Sequence, residues 1–539
     1  MSQNPNTPLL NALLQYKASD PIIMHMPGHK MGNGLPDIFK HNIAALDITE
    51  LDCSDNLHDP SGVIAQAQAL AAVTFGADHS FFLVNGSTCG ILTMIHTICN
   101  PGDSLIVGRD CHVSVIHAMM LAHVTPIFVY PSHISDFDIP GALHPADIAA
   151  ALETHPDCKG VFLTSPNYFG ICNPISEISN IVKKHNKILA IDEAHGAHFR
   201  FHPMLPTSAM DAGADICVQS AHKTLCALNQ GAYLHVKSNQ IDLQKLRFYL
   251  KRFQTTSPSY PIMASLDIAR DNMSQVGFSR LSQCIEKISS FESYINTHTN
   301  FRVLQQSNPI INTTRISKST PKSITKDITR IVVNTSHTGL SGYQAEQLLR
   351  EKYRIVCECI YFDNLVFITT CFDDLSHIDL LSQALQEIST TVKEIPAIAR
   401  KNSASAKKVP ATTKNISASS KDISASENKI SASIKNISAS AQEIPAPTKN
   451  MRDAHTPTLM WESIDSLPTS YPSTTTHIPL EHSIGKIAAE NIIPYPPGIP
   501  LILCGQPITA SAITLIRRFQ ENHISLTGID CKSHIFVVE

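Results

Sequence analysis

Short apolar runs of strand length alternate with helical segments from about residue 17 to about residue 270. Three such runs lie at residues 104–107, 160–163 and 188–191. Strands that alternate with helices are typical of a mostly parallel sheet with helices packed on its faces. The sequence therefore predicts an α/β fold whose large domain spans residues 17–270.

An acid ends one of these apolar runs. Residues 188–191 lead into Asp192, which is followed by Glu193, His195 and His198. In open α/β folds, ligands bind at the carboxyl ends of the strands. The Asp192 carboxylate is therefore expected at a ligand site.

A lysine follows a second strand-like run, 31 residues after Asp192. Residues 214–218 lead into a short segment that contains Ser220, His222 and Lys223. A deprotonated lysine is a nucleophile, and neighbouring hydroxyl and imidazole groups can hold a phosphate. A lone lysine after a strand is more often a solvated loop charge. Together with the acid it indicates pyridoxal-phosphate chemistry, in which the acid keeps the ring nitrogen protonated and the lysine carries the cofactor as an imine.

A third segment predicts the phosphate site. A strand-like run at residues 81–84 is followed by Gly86, Ser87 and Thr88 and then by an apolar helical run at 91–98. Backbone N–H groups and hydroxyls at the start of a helix attract anions, although the same residues can also serve as a simple helix cap. The two common glycine-rich nucleotide motifs do not occur in the chain, so ATP and dinucleotides are not indicated.

These motifs resemble, in order, those of the pyridoxal-phosphate-dependent Orn/Lys/Arg decarboxylases of fold type I, in the short form without an amino-terminal regulatory domain. The resemblance implies an aspartate aminotransferase-like large domain with a mostly parallel sheet, a small α/β domain and a carboxy-terminal α+β domain. The matching segments are residues 26–32, 47–51, 56–58, 85–90, 101–103, 109–112, 192–198, 220–225, 254–260 and 494–500.

The same resemblance implies roles for individual residues. Lys223 would hold pyridoxal 5'-phosphate, Asp192 would pair with its pyridine nitrogen and His112 would stack on its ring. His195 would lie near the opposite ring face, and His222 joins the catalytic set. The phosphate would be bound by Ser87, Thr88, Ser220 and His222.

Two further segments are assigned by resemblance. Thr255, Thr256 and Ser257 resemble a segment that reaches into the active site of the neighbouring subunit, which implies a homodimer or a higher homo-oligomer. Glu358 resembles a family acid that follows a strand of the small domain.

The implied activity is decarboxylation of a basic amino acid, with arginine or lysine favoured over ornithine. The products would be carbon dioxide and agmatine, cadaverine or putrescine, which would feed polyamine synthesis or acid resistance. Two alternatives remain open: another fold-type-I enzyme, such as an aminotransferase or a lyase, and a non-catalytic relative of the decarboxylases.

Other residues near these motifs have simpler interpretations. His29 and Lys30 are expected to be structural or to contact a partner subunit. His195 and His198, three residues apart, also allow a metal-site interpretation, but zinc sites need three or four convergent ligands, so no metal is predicted. Two positions depart from the family pattern: Val113 replaces a common lysine, and Gln506 replaces a glutamate. The glutamine either weakens binding of a basic substrate or only changes a structural hydrogen bond.

Composition fits a cytoplasmic enzyme. The chain has 539 residues, 43% of them hydrophobic, and a net charge of −4, so it can bury a large core and shows no basic excess for nucleic acid. No run of eighteen apolar residues indicates a membrane span, and the polar residues 1–8 do not resemble a secretory signal. Fourteen scattered cysteines are expected as free thiols.

The sequence divides into five parts. Residues 1–16 precede the large domain, and 271–385 read as the small domain, with strands at 331–333 and 365–368 and a helix at 342–351. Ile-Ser-Ala-Ser repeats predict a flexible linker at 386–455. The carboxy-terminal domain, 456–539, is expected to contain a strand at 501–503 and a helix at 510–520.

Overall fold

The computed structural model describes residues 6–306, 324–405, 467–468 and 472–539, with the backbone alone at 393–405. Met1–Thr391 and Leu459–Glu539 form one compact unit. Val392–Thr458 form a second unit, of which the structure describes only the end of one helix. Within the described residues, no helix is long and apolar enough to span a membrane.

The helices of the described residues are α1 (Pro8–Ala18), α2 (Asp37–Lys40), α3 (Val63–Phe75), α4 (Gly86–Ile98), α5 (Val113–Ala122), α6 (Pro145–Thr154), α7 (Ile175–Lys184), α8 (Ala221–Thr224), α9 (Leu243–Phe253), α10 (Tyr260–Asn272), α11 (Phe278–His298), α12 (Gly342–Tyr353), α13 (Ser376–Ser405) and α14 (Ala510–Glu521). The strands are β1 (Ile22–Met24), β2 (His79–Leu83), β3 (Ser104–Gly108), β4 (Thr125–Val129), β5 (His133–Ile134), β6 (Ile139–Pro140), β7 (Gly160–Thr164), β8 (Ile188–Asp192), β9 (Ile216–Gln219), β10 (Ala232–Val236), β11 (Arg302–Val303), β12 (Arg330–Asn334), β13 (Ile355–Cys357), β14 (Cys359–Tyr361), β15 (Asn364–Ile368), β16 (Thr475–Pro479), β17 (Ile493–Pro494), β18 (Leu526–Thr527) and β19 (His534–Val538).

A seven-stranded sheet in the order β2-β10-β9-β8-β7-β3-β4 forms the centre of the molecule. Its five strands from β9 to β4 are parallel, and β10 runs antiparallel to both of its neighbours. The predicted strands at 104–107, 160–163 and 188–191 are confirmed as β3, β7 and β8. The mostly parallel α/β sheet is therefore confirmed.

Helices cover both faces of this sheet, because alternate side chains of each buried strand point to opposite sides. Phe162 and Ala190 pack in one cluster with apolar residues of α4, α5 and α9. Leu163 and Ile191 pack in another cluster with α6 and α7. The parallel arrangement brings the carboxyl ends of β8 and β9 side by side, where Asp192 and the segment that begins at Ser220 emerge.

A second, four-stranded antiparallel sheet has the order β11-β12-β15-β14. The predicted strands at 331–333 and 365–368 and the helix at 342–351 are confirmed as β12, β15 and α12. A capping box at Ser341, in which its hydroxyl accepts the backbone N–H of Gln344, fixes the start of α12. The amino-terminal strand β1 pairs in parallel with β13.

The carboxy-terminal region contains the predicted helix, α14, but the predicted strand at 501–503 is wrong. Only Ile502 makes a single bridge, to Ile492. The run is apolar because it lies between two cores: Ile502 packs in the carboxy-terminal cluster, whereas Leu503 packs in the cluster of the large sheet. Strands form instead at β16 to β19, for which no strand was predicted.

The linker predicted at 386–455 begins too early, because residues 386–405 belong to α13. Ile388 is buried, so the apolar face that starts with Leu381 and Leu385 continues past residue 386. The Ile-Ser-Ala-Ser repeats lie outside the described residues.

Lys30 has a structural role. Its ammonium is buried, donates to the carbonyls of Ile368 at 2.7 Å and His25 at 3.0 Å, and lies 3.5 Å from the Asp373 carboxylate. It therefore joins the amino-terminal segment to the end of β15.

We expect Lys30→Met to lower the free energy of unfolding by about 3 kcal/mol, because the change leaves the Asp373 carboxylate buried without its cation. Urea unfolding of both proteins measures the difference, with the exposed Lys17→Met as a control that shifts stability by less than about 0.5 kcal/mol. Equal stability of Lys30→Met and the unsubstituted chain would contradict this role.

Candidate active site

Lys223 lies in α8, the single turn that follows β9, and its amine is buried. The Nζ atom is 3.0 Å from Nε2 of His195. Burial lowers the pKa of Lys223 to about 8, the Asp192 carboxylate opposes this shift, and Arg330 adds to it. A much larger share of the amine is therefore neutral near pH 7 than for an exposed lysine, as a nucleophile requires.

Asp192 ends β8, and its carboxylate is buried. Its Oδ1 atom accepts the backbone N–H of Ala194 at 3.1 Å, which turns the chain away from the sheet. Burial raises the pKa of Asp192, and the Lys223 ammonium counteracts that effect. The acid and the lysine thus lie at the ends of adjacent parallel strands, as the sequence predicts.

His112 precedes α5 and caps it: its Nδ1 accepts the backbone N–H of Ser114 at 3.2 Å. Burial lowers the pKa of the imidazole to about 3, and the positive charge of Lys223 lowers it further. Gly498 covers the ring from the carboxy-terminal region, and its carbonyl accepts the Val113 N–H at 3.0 Å. A methyl group at Gly498 would lie 2.9 Å from the ring, and its φ of +81° also favours glycine.

The start of α4 and the segment that contains Lys223 each donate a backbone hydrogen bond to one of two adjacent residues, Gln230 and Gly231. The Gly86 N–H donates to the Gln230 carbonyl at 2.9 Å, and the His222 N–H donates to the Gly231 carbonyl at 3.1 Å. The Ser220 hydroxyl is buried and has no hydrogen-bond partner among the described residues. Open space adjoins Gly86, where a β-carbon would meet no atom within 4 Å.

These features fit a phosphate-bearing cofactor. Ser87 and Thr88 occupy the first turn of α4, whose backbone N–H groups favour an anion. The Ser220 hydroxyl has unused hydrogen-bonding capacity in the neighbouring segment.

His222 has a defined hydrogen atom position. Its Nδ1 lies 2.9 Å from the Gly231 carbonyl, which can only accept, so Nδ1 carries the hydrogen. Burial lowers the pKa of His222 to about 4, so Nε2 is unprotonated near neutral pH. A phosphate oxygen would need a protonated Nε2 to accept a hydrogen bond from this ring.

Glu358 follows β13, as predicted. Its two carboxylate oxygens accept the backbone N–H of Met26 at 3.0 Å and the Tyr168 hydroxyl at 2.6 Å. The Tyr168 ring packs edge-to-face on His195, with 5.3 Å between ring centroids. Glu358 therefore acts on the site through Tyr168 in this protomer.

The segment with Thr255, Thr256 and Ser257 connects α9 to α10. The Thr255 N–H donates to Oδ1 of Asn85 at 3.3 Å, next to the start of α4. Thr256 and Ser257 are exposed. Their predicted contact with a neighbouring subunit stays a prediction.

His195 and His198 do not converge on one point. His195 faces Lys223, whereas Nε2 of His198 lies 3.3 Å from Asp327 and 3.0 Å from the Thr329 hydroxyl. Among the described residues, no group of three or more His, Cys, Asp or Glu side chains is placed to hold a metal ion.

Gln506, which departs from the family pattern, has a structural hydrogen bond: its side-chain oxygen accepts the Leu503 N–H at 2.7 Å.

Sequence reasoning missed Arg330, Tyr168 and the close approach of Gly28. A β-carbon at Gly28 would lie 2.4 Å from the Leu225 carbonyl oxygen, and its N–H donates to the His222 carbonyl at 2.7 Å. Arg330 opens the apolar strand β12, and its Nη2 lies 2.8 Å from Nδ1 of His195. The only sequence signal for it was a charged residue ahead of a buried strand.

Comparison with known proteins identifies the family. The Orn/Lys/Arg decarboxylase major domain matches residues 7–374, and the C-terminal domain of the same family matches residues 449–534. An arginine decarboxylase from Bacillus anthracis is 31% identical over 537 residues, which cover 97% of this chain and 94% of that protein.

Two solved structures show the fold. The lysine decarboxylase of Francisella novicida has a TM-score of 0.71 at 20% identity and covers 99% of this chain and 81% of its own. The serine palmitoyltransferase of Sphingomonas wittichii has a TM-score of 0.53 at 13% identity, over 70% of this chain and 89% of its own. The chain therefore belongs to the Orn/Lys/Arg decarboxylase family and is an amino acid decarboxylase with a fold-type-I architecture.

Proposed function

We propose that this chain decarboxylates arginine, with lysine as the second candidate and ornithine disfavoured, and that it holds pyridoxal 5'-phosphate on Lys223. The observation that carries the proposal is a buried lysine amine with a lowered pKa beside a buried carboxylate at the ends of two parallel strands. The similarity to an arginine decarboxylase over 97% of the chain favours arginine.

The proposed cofactor site has three parts. Lys223 would hold the cofactor through its amine, and the Asp192 carboxylate would keep the pyridine nitrogen protonated. His112 packs against the ring, since it is held by Ser114 on one side and covered by Gly498 on the other. Ser87, Thr88 and Ser220 bind the phosphate, and His222 joins them when its Nε2 is protonated.

When bound, pyridoxal phosphate supplies an electron sink for the electrons of the breaking bond between Cα and the carboxylate. The residues of this chain would orient that bond: Asp192 and His195 are buried, whereas Lys223, His112 and His222 are partly buried. After carbon dioxide leaves, Cα must take up a proton. Lys223 Nζ, whose pKa of about 8 leaves it partly protonated near pH 7, would supply this proton, and His222 would do so only when its Nε2 is protonated.

The purified protein should release carbon dioxide from arginine when pyridoxal phosphate is present, and Lys223→Ala should abolish this release because the amine that holds the cofactor is lost. Release is measured in turn with arginine, lysine and ornithine, and the exposed Lys237→Ala serves as the matched control. Release that survives in Lys223→Ala, or amino transfer without carbon dioxide, would refute the proposal.

The product amine would be a polyamine precursor, agmatine if arginine is the substrate. All fourteen cysteines are free thiols in the structure, which supports a reducing, cytoplasmic location.

We also propose a homodimer whose two active sites are shared. Helix α1 buries none of its residues, although its sequence is rich in leucine. Leu9, Leu10 and Leu13 are more than half exposed, at 73%, 53% and 59%. Contiguous exposed apolar surface is typical of an interface. Thr256 and Ser257 are also exposed, as contact with a second copy requires.

We expect Leu13→Asp to dissociate the dimer, because it would bury a carboxylate against an apolar partner surface. Light scattering should give about twice the chain mass of 59.0 kDa for the unsubstituted protein and about one chain mass for the variant. Gln15→Asp, a change at an exposed polar position of α1, is the control. A monomeric unsubstituted protein, or a Leu13→Asp dimer of equal stability, would contradict the use of α1 as an interface.

A further inference from the structure

Arg330 is a buried cation that none of the roles above uses. It is the first residue of β12, its side chain is 1% exposed, and Gly170 lies against its β-carbon. Its Nη2 lies 2.8 Å from Nδ1 of His195, whereas its Nε and Nη1 have no hydrogen-bond partner among the described residues. A guanidinium carries only hydrogen-bond donors, so in this contact Arg330 donates and His195 accepts.

The donor and acceptor roles of His195 follow from this contact. Because Arg330 must donate, Nδ1 of His195 must accept, and the Nδ1 atom carries no hydrogen. A neutral imidazole then carries its hydrogen on Nε2, which is the atom that lies 3.0 Å from Lys223 Nζ. Burial and the charges of Lys223 and Arg330 lower the pKa of His195 well below its usual range, so the ring is neutral.

The hydrogen position has a consequence for Lys223. A neutral imidazole has one acceptor nitrogen, and Arg330 occupies it. An ammonium at Lys223 would therefore point a hydrogen at the Nε2–H group, whereas a neutral amine can accept that hydrogen through its lone pair. The arrangement stabilises the neutral amine over the ammonium.

We propose that Arg330 is a positioning residue for the decarboxylase site: it fixes the Nε2–H tautomer of His195, and His195 then donates to Lys223 Nζ and favours the neutral form of the lysine amine. This inference rests on the proposed role of Lys223.

Other groups around the pair do not replace Arg330. The Tyr168 ring meets His195 edge-to-face, and its hydroxyl donates to Glu358 rather than to the imidazole. Asp192 and Glu358 act on Lys223 through their charges, and both raise its pKa. His112 and His222 lower the pKa of His195 but make their own nitrogen contacts elsewhere, with Ser114 and Gly231.

The first test reads the tautomer directly in the full-length chain without added cofactor. Nitrogen-15 NMR of histidine-labelled protein distinguishes protonated from unprotonated imidazole nitrogens, and the signal of His195 among the 26 histidines is identified by its loss in His195→Gln. We expect the hydrogen on Nε2, and we expect Arg330→Met to move it to Nδ1 or to produce a mixture. Hydrogen on Nδ1 in the unsubstituted protein, or no change in Arg330→Met, would overturn the proposal.

The second test measures the pKa of Lys223 from the pH dependence of its modification by an amine-reactive reagent, followed by mass spectrometry of its peptide. Arg330→Met should raise this pKa from about 8 toward 10.5. If loss of the Arg330 charge were the whole cause, Arg330→Met would raise the Lys223 pKa by the same amount in a His195→Phe background. The tautomer mechanism instead requires a larger rise in pKa when His195 is present. Equal rises in the two backgrounds would contradict the proposal.

Kinetics of the cofactor-loaded enzyme separate positioning from substrate binding. We expect Arg330→Met to lower kcat by at least about tenfold with little change in KM, because His195 would no longer orient the Lys223 amine. Lys326→Met, which removes another buried cation four residues upstream, is the matched control and should leave the His195 tautomer unchanged. A rise in KM alone, with the tautomer intact, would instead place Arg330 at the substrate carboxylate. A correct tautomer in a protein that releases no carbon dioxide would refute the proposed function and leave this inference standing.

Discussion

Burial of the Lys223 amine is the constraint on which the rest of the site depends. Removal from water favours the neutral amine, and only Asp192 and Glu358 act against it among the charges that shift its pKa. Burying a carboxylate beside a neutral amine costs free energy unless both polar groups make well-oriented contacts. The neighbouring strands β8 and β9 position the two groups for such contacts. The central sheet therefore sets both the chemistry and the geometry of the site.

Three distant parts of the chain enclose this amine. The amino-terminal Gly28 donates to His222, Gly498 from the carboxy-terminal region covers His112, and Arg330 from the second sheet contacts His195. Two of these approaches require glycine, because a β-carbon at Gly28 or Gly498 would collide with the site. The three segments thus fix His222, His112 and His195 around the lysine.

The sequence predicted the parts of this arrangement that are local. Asp192 ends one apolar run and Lys223 closely follows another, and a buried parallel strand is the simplest structure for such a run. Two predictions failed because burial depends on distant parts of the chain. Residues 501–503 are apolar because they fill two cores and not because they form a strand. Helix α13 continues past residue 386 because Ile388 is buried. Arg330 lies 135 residues from His195, so no local pattern could pair them. The phosphate roles of Ser87, Thr88 and Ser220 were indicated by the residues that follow two strands and by family resemblance, and they stay predictions; the structure adds that the buried Ser220 hydroxyl has no hydrogen-bond partner among the described residues.

The most direct test of the central claim is to locate the cofactor on the chain. The protein is incubated with pyridoxal phosphate, reduced with borohydride and digested, and the peptide masses are determined. The account predicts the mass of the reduced cofactor on the peptide that contains Lys223 and on no other lysine in stoichiometric amount. Labelling of a different lysine, or no stoichiometric label at all, would contradict the account.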